Sequence, residues 1–409
     1  MGHRRREDVR QEQLTGLKYF DRLAPLFERL HDVGCQRDKA GNRTLHFDQY
    51  CLLVLLYLFN PVVTSLRSIQ QASGLAKVQK KLRCSRASLG SLSESSHVFD
   101  PELLQDVIQE LGEQLQPIGA DARLASVEQT ITLVDGTLLK ALPRIAEAMW
   151  LTSPAGKVQR AWRLHAHFEL VKHVPVRMDL TDGRNSGKSD EKHVLREHLE
   201  PDRCYVMDRW YSQYRLLNDI DAKGSSYVCR VRDNTEWETL AELPLSAEAV
   251  QAGVLSDQRV TLGSGRRGAR TDHSLRLVMI RTTPHQRRTH RGGKTGAPAS
   301  DGVLRVVTNL LEVPAEVVAL LYQYRYTIEL FFRFFKHVLG CRHLLSDDPR
   351  GIAIQTYMAI IACMLISLVT GRKPSLRTYE MICYYFTGWA SQEELLAHIA
   401  KLKPHDASP

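Results

Sequence analysis

Residues 315–339, AEVVALLYQYRYTIELFFRFFKHVL, decide how the rest of the chain is read. The run holds neither Pro nor Gly, and its spacing predicts one helix. With Tyr322 set at zero and a rotation of about 100° per residue, Arg325 falls near about −60°, Glu329 near about −20° and Lys336 near about −40°. Phe331, Phe334, Phe335 and Val338 fall on the other side, between about 120° and 220°. One face is therefore apolar, and the other carries an acid flanked by two bases and a phenol. The Arg325–Glu329 and Glu329–Lys336 spacings also support any solvated helix. The stripe gains a chemical meaning only if the rest of the chain supplies partners for its acid.

At 409 residues the chain is too long for one simple core, which implies two or three domains. It holds 55 Lys and Arg against 46 Asp and Glu, a net charge of +9. That balance favours an acidic partner, nucleic acid before membrane, because no basic amphipathic anchor stands out. The cysteines at 35, 51, 84, 204, 229, 341, 363 and 383 form no CxxC pair and sit in apolar segments, as reduced core residues of a cytosolic protein would. MGHRRRED leads into polar sequence, so no signal peptide is expected, and the HRRR run at 3–6 reads as a tail that brushes DNA. Residues 353–370, AIQTYMAIIACMLISLVT, are short for a bilayer and contain Gln355, Thr356 and Thr370, so a buried helix is expected there.

Residues 1–125 read as mostly helical. HFDQYCLLVLLYLF (46–59) is an apolar helix ending before Pro61, and SLRSIQQASGLAKVQKKL (65–82) is a shorter basic one. DPELLQDVIQELGEQL (100–115) starts with Asp100 as N-cap and Pro101 at the first helical position. The Ser-rich CSRASLGSLSESSHVF lies between the last two. Short basic helices joined by Ser/Gly turns fit a helical DNA-binding region, and fit a structural bundle equally well.

From about 127 the pattern changes. EQTITLVDGT (128–137) alternates and then meets Asp-Gly, as a strand ending in a turn would. RLHAHFELVKHVPVRMDLTDG (163–183) holds two strand-like runs, SDEKHVLREHL (189–199) a helix, and CYVMDRWY (204–211) a buried strand reaching an acid. A helix ending at Gly224 and the strand SYVCRVRD (226–233) complete a mixed α/β sheet. Residues 234–303 interrupt this rhythm with short β runs. Nine Lys or Arg lie between Arg266 and Lys294 against one acid, Asp272, and include Arg266, Arg267, Arg287 and Arg288. That density reads as an inserted β module whose basic loops meet a phosphate backbone. LRVVTNL (304–310) is a further strand, and 349–370 with 376–402 form a C-terminal helical pair. The resulting divisions are 1–125, 126–233, 234–303, 304–345 and 346–409.

Three carboxylates stand out: Asp135 in LVDGT, Asp208 in YVMDRWY, and Glu329 on the polar helix stripe. If their strands are neighbours, Asp135 and Asp208 lie side by side, and the helix lays Glu329 across them. A few hard oxygen ligands suit Mg²⁺, with Mn²⁺ as substitute, and two such ions can serve both sides of a phosphodiester. Lys336, Arg325 and Tyr322 would then hold the neighbouring phosphates.

The run Tyr322-x2-Arg325-x3-Glu329-x6-Lys336 resembles the signature of the insertion-sequence-4 family of DDE transposases. DGT at Asp135 and MDRWY at Asp208 resemble that family's first two catalytic blocks, and a basic β insertion before the Glu is similar too. The likeness spans about 127–340. It implies a ribonuclease-H-like mixed-sheet core with an inserted mainly-β module, flanked by N- and C-terminal helical regions. It implies an enzyme that binds terminal inverted repeats in double-stranded DNA. It also implies Mg²⁺-dependent hydrolysis at the element ends and attack of the freed 3′-OH on target DNA. Asp135, Asp208 and Glu329 would be catalytic metal ligands, and synapsis of two ends implies a homodimer in the cytoplasm, on the nucleoid. One departure concerns DNA hairpins. Some members hold a flipped base on aromatic residues of the insertion, whereas here Trp237 is the insertion's one aromatic, and packing explains it better than stacking.

His165-x-His167 places two imidazoles on one side of a strand without further zinc ligands at a suitable spacing. The turn with Asp182, Asn185, Lys188 and Asp190 borders the site or is a plain turn, and Trp210 and Tyr211 are placed either to touch DNA or to pack the following helix, with packing the default expectation. Two alternatives keep the same core: a nuclease without strand transfer, and a non-catalytic DNA-binding regulator derived from a transposase.

Overall fold

The computed structural model describes residues 20, 23–33, 38, 41, 43–119, 121–140, 149–152, 158–263, 270–282, 301–340, 344–346 and 348–402. The chain begins with helices α1 (Ala24–Glu28), α2 (Phe47–Phe59), α3 (Leu66–Ser73), α4 (Ala76–Leu82), α5 (Leu89–Val98) and α6 (Leu103–Gln114). Next come β1 (Thr130–Lys140), β2 (Met149–Thr152), β3 (Val158–Glu169), β4 (Val174–Asp182), α7 (Glu191–Glu197), β5 (Arg203–Met207), α8 (Tyr214–Ala222) and β6 (Ser226–Arg230). They are followed by β7 (Trp237–Glu242), α9 (Ala247–Gln251), β8 (Val254–Leu262), β9 (Leu275–Arg281) and β10 (Val303–Thr308). The chain closes with α10 (Ala315–Tyr324), α11 (Tyr326–Gly340), α12 (Pro349–Thr370), α13 (Leu376–Phe386) and α14 (Gln392–Lys401).

The order β4-β3-β1-β5-β6 forms the heart of the sheet. β4, β3 and β1 run antiparallel, while β1, β5 and β6 run parallel, with α7 between β4 and β5 and α8 as the β5–β6 crossover. This is the ribonuclease-H-like mixed sheet that the resemblance implied. β10 then pairs antiparallel with β6, and β9, β8 and β7 follow in turn, so the strands of 237–308 extend the same sheet.

β1 does not stop at Asp-Gly, contrary to the reading of that dipeptide as a turn. Its antiparallel partner β3 continues alongside as far as Lys140↔Ala161, whereas β5 leaves after Val134↔Met207. Side chains alternate across the strand. Leu133, with Ala166, Phe168 and Val206, enters the larger core under the helices, and Val134, with Tyr205, Met207 and Leu195, enters a smaller core on the other face.

The helical regions differ from their sequence reading in five places. The 65–82 segment is two helices, because Gly74 closes α3 and α4 begins at Ala76. The Ser-rich stretch holds a helix, α5, capped by the Ser88 hydroxyl. Its Ser96 meets α12 so closely that a Cβ on Gly351 would lie 2.6 Å from the Ser96 Cβ. Residues 376–402 are also two helices, with a break around Gly388 at φ +78°. The fourth is the long helix itself, which is interrupted at Arg325. There Arg325 N–H donates to the Tyr322 carbonyl and Ile328 N–H to the Arg325 carbonyl, both i→i+3 bonds. Asp100 is not the N-cap of α6 but accepts the Glu102 N–H in the turn before it.

Phe331, Phe334, Phe335 and Val338 are all buried, as the stripe predicted. α12 is long and apolar enough to cross a membrane, and residues 351–367 of it are buried in the fold without interruption. The described cysteines, 51, 84, 204, 229, 363 and 383, are free and buried, while Cys35 and Cys341 lie outside the described residues.

Candidate active site

Val134 and Met207 are register partners on parallel strands, so Asp135 and Asp208, one residue further along each, stand side by side. Asp208 is fixed by the loop it opens. Its Oδ1 accepts the Trp210 N–H at 2.8 Å and its carbonyl accepts the Tyr211 N–H at 3.2 Å. Asp135 Oδ1 accepts the Gly136 N–H at 2.9 Å. The α10–α11 junction crosses this pair. Arg325 reaches Asp135 Oδ2 at 3.7 Å and donates to Glu329 Oε1 at 2.5 Å. The Tyr322 ring lies 5.9 Å from the same guanidinium. Arg325 thus stands between the first and third acids, and Tyr322, Arg325 and Glu329 share one side despite the break. Lys336 is exposed further along α11.

The electrostatics follow from this crowding. Burial pushes the Asp135 carboxyl up to about 7, Arg325 opposes the shift, and the charge of Asp208 adds to it. Burial also raises the Tyr322 phenol. The site is an excess of carboxylate oxygen on partly buried side chains, with the Arg325 guanidinium paired to two of them. Such a hard-oxygen donor set fits a divalent cation of the Mg²⁺ type, which relieves the repulsion that disfavours the charged acids.

A model of the transposase DDE domain matches residues 127–365. The chain belongs to the transposase DDE domain family. It is 23% identical over 210 residues to a putative transposase, y4zB, of Sinorhizobium fredii, covering 51% of this chain and 53% of that protein. It is 26% identical over 213 residues to a probable transposase for insertion sequence element IS5377 of Geobacillus stearothermophilus, covering 50% and 48%. The chain thus matches these curated relatives over about half their length. Among solved structures it is similar to piggyBac transposase in a synaptic complex with hairpin DNA. That match has a TM-score of 0.43 at 12% identity and covers 99% of this chain and 87% of that one.

Other residues singled out in the sequence are placed around the DDE domain as follows. Trp237 is half-buried and packs on the smaller core. Tyr211 is buried, as expected, but Trp210 is not: it is 44% exposed, with the Lys192 ammonium 4.5 Å from its ring centre. His165 and His167 are buried in β3, and His165 Nε2 bonds Thr181 Oγ1 at 2.7 Å. Arg266, Arg267, Arg287, Arg288 and the HRRR run lie outside the described residues. A separate group, His31, Asp32 and His46, brings one donor atom from each to within 4.8 Å of the others. Its two imidazoles are stacked at 3.7 Å, and lone pairs lying in parallel planes do not converge on one ion.

Sequence reasoning missed the underside of the site. Glu191 is buried, pairs with Arg163 and accepts the Tyr211 hydroxyl. It lies so close to β1 that a Cβ on Gly136 would stand 2.6 Å from its Oε1. A glycine inside an alternating strand pattern marks such a close approach, and that was the available signal.

Proposed function

We propose that the protein is a cut-and-paste DNA transposase of the insertion-sequence-4 type. It binds the terminal inverted repeats of its element, hydrolyses the phosphodiester at the element ends and joins the 3′-OH ends to target DNA. The observation that carries this reading is the placement of Asp135 and Asp208 side by side, each one residue past the last register pair of the parallel strands β1 and β5, with Arg325 linking Asp135 to Glu329. Asp135, Asp208 and Glu329 would hold Mg²⁺, or Mn²⁺ in its place, as two ions, which would supply activation of the attacking oxygen and stabilisation of the leaving one.

The chain's own residues do the rest. Arg325 balances the acids and offers donors to phosphate, Tyr322 supplies a phenol beside it, and Lys336 holds the strand further along the stripe. The N-terminal helices serve as the DNA-binding region, supported by the exposed Arg67, Lys77, Lys80, Arg83 and Arg86 on and beside α3 and α4. The basic sequence between Arg266 and Lys294, with Arg266, Arg267, Arg287 and Arg288, adds backbone contacts. Two copies act together at paired ends, on the nucleoid of the cell.

The test is a strand-transfer assay. Duplexes carrying the element's ends, taken from the DNA flanking the gene, are incubated with the protein, Mg²⁺ and a supercoiled target plasmid. Joined products are expected. Nicks and breaks without joined products would leave a nuclease, and binding without cleavage would leave a regulator.

A further inference from the structure

We infer that Glu191 is a positioning residue of the DDE site, holding β1 at Asp135 and the loop at Asp208 in one fixed relation from the opposite face of the sheet. The inference rests on the assignment of Asp135 and Asp208 as the metal-holding pair.

The geometry runs through both carriers. Side chains alternate along β1, so Asp135 points to one face and the hydrogen of Gly136 to the other. Glu191 occupies the second face, with its carboxylate where a Gly136 side chain would be. The same carboxylate accepts the hydroxyl of Tyr211, whose own N–H donates to the Asp208 carbonyl. Arg163 on β3 holds it from a third direction. Its backbone is fixed as well. Asn185, at φ +55°, accepts the Glu191 N–H through Oδ1 at 3.0 Å, and Asp190 caps the helix that Glu191 begins. One carboxylate therefore ties three elements together, two of which carry the metal-holding acids.

Stability alone does not account for an acid here. A buried ion pair gains little over an apolar filling of the same volume. This one also stands where its charge repels Asp135 and Asp208. A cost of that kind is understandable if the rigid, directional links to Tyr211 and Arg163 set the separation of the two metal-holding acids, as outer hydrogen-bond partners do at metal centres.

The test is Mn²⁺ titration of the full chain followed by electron paramagnetic resonance, with wild type, Asp135→Ala, Glu191→Ala, Glu191→Gln and Tyr211→Phe. Wild type is expected to bind, and Asp135→Ala to lose binding. Glu191→Ala should weaken Mn²⁺ affinity by about 10–100-fold while still melting cooperatively. Glu191→Gln should recover part of that loss, because its amide oxygen still accepts the Tyr211 hydroxyl. A merely structural role would lower the melting temperature and leave Mn²⁺ affinity unchanged. Unchanged affinity in folded Glu191→Ala overturns the inference. If that variant does not fold, unchanged affinity in Tyr211→Phe, which deletes one hydroxyl, overturns it instead. Absence of Mn²⁺ binding by wild type, or full binding by Asp135→Ala, overturns the site assignment and the inference with it.

Discussion

Replacing Gly136 by Ala sets a carbon 2.6 Å from Glu191 Oε1 and 2.7 Å from its Cδ, where 3.4–4 Å is ordinary contact. The carboxylate must retreat by nearly an ångström, and Arg163 and Tyr211 resist that movement. Overpacking a filled interior costs about 1–3 kcal/mol, and breaking a buried ion pair about 3–5 kcal/mol. Gly136→Ala is therefore expected to lose about 2–4 kcal/mol, between displacement and rupture. Glu191→Ala alone is expected to lose about 3–5 kcal/mol, because it strands the Arg163 guanidinium. In the double variant the new methyl enters the vacated space, so the combined loss should fall short of the sum by about 1–3 kcal/mol. Urea unfolding of the four proteins, compared at equal m-values, measures this coupling. Losses that add to within about 0.5 kcal/mol would refute the packing argument.

Other consequences concern stability and charge. Arg276 and Asp257 are paired deep in the sheet extension, where Arg276 also donates to the carbonyls of Leu310 and Val313 before α10. Arg276→Met should cost about 3–5 kcal/mol in urea unfolding, and a loss below about 1 kcal/mol would contradict the pair's burial. Burial pushes His167 down to about 3 and His165 down to about 4, whereas both titrate near 6.5 in the unfolded chain. Their contribution is thus complete above about pH 6.5 and is lost as pH falls through about 4 for His165 and about 3 for His167. At pH 5 the pair withholds about 4 kcal/mol, and His167→Phe should flatten the dependence of unfolding midpoint on pH. Gly351→Ala places a Cβ 2.6 Å from Ser96 Cβ, so the melting temperature should fall with a cost of about 1–3 kcal/mol. Arg325→Gln removes the charge joining Asp135 and Glu329 and should slow DNA cleavage about 100-fold or more while end binding changes less.

What the sequence disclosed and what it withheld divide along local and non-local physics. The apolar stripe of 331–338 and the strands leading to Asp135 and Asp208 are written in periodicity, and the structure contains them. The Asp-Gly of β1 mimics a turn because dipeptide chemistry is local, while β3, bonded beyond it, is not. Serine favours caps and turns in isolation, yet 89–98 is helical because its small side chains let α12 approach at Gly351. The pause at Arg325 has no Pro or Gly to announce it. Its side chain reaches Asp135 on β1 as well as its i+4 neighbour Glu329, and that contact to the strand is not encoded by periodicity within one helix. Glu191 looks like an ordinary first-turn acid of a short helix until Gly136, 55 positions earlier, is seen beneath it.

Asp135, Asp208 and Glu329 are proposed to work as one metal-dependent centre on DNA. Cleavage of labelled element-end duplexes in Mg²⁺ or Mn²⁺ by Asp135→Ala, Asp208→Ala and Glu329→Ala addresses that claim directly. Each variant is predicted to bind the duplex as wild type does and to leave it uncut. Cutting at the wild-type rate by any of the three would contradict the shared role given to these acids.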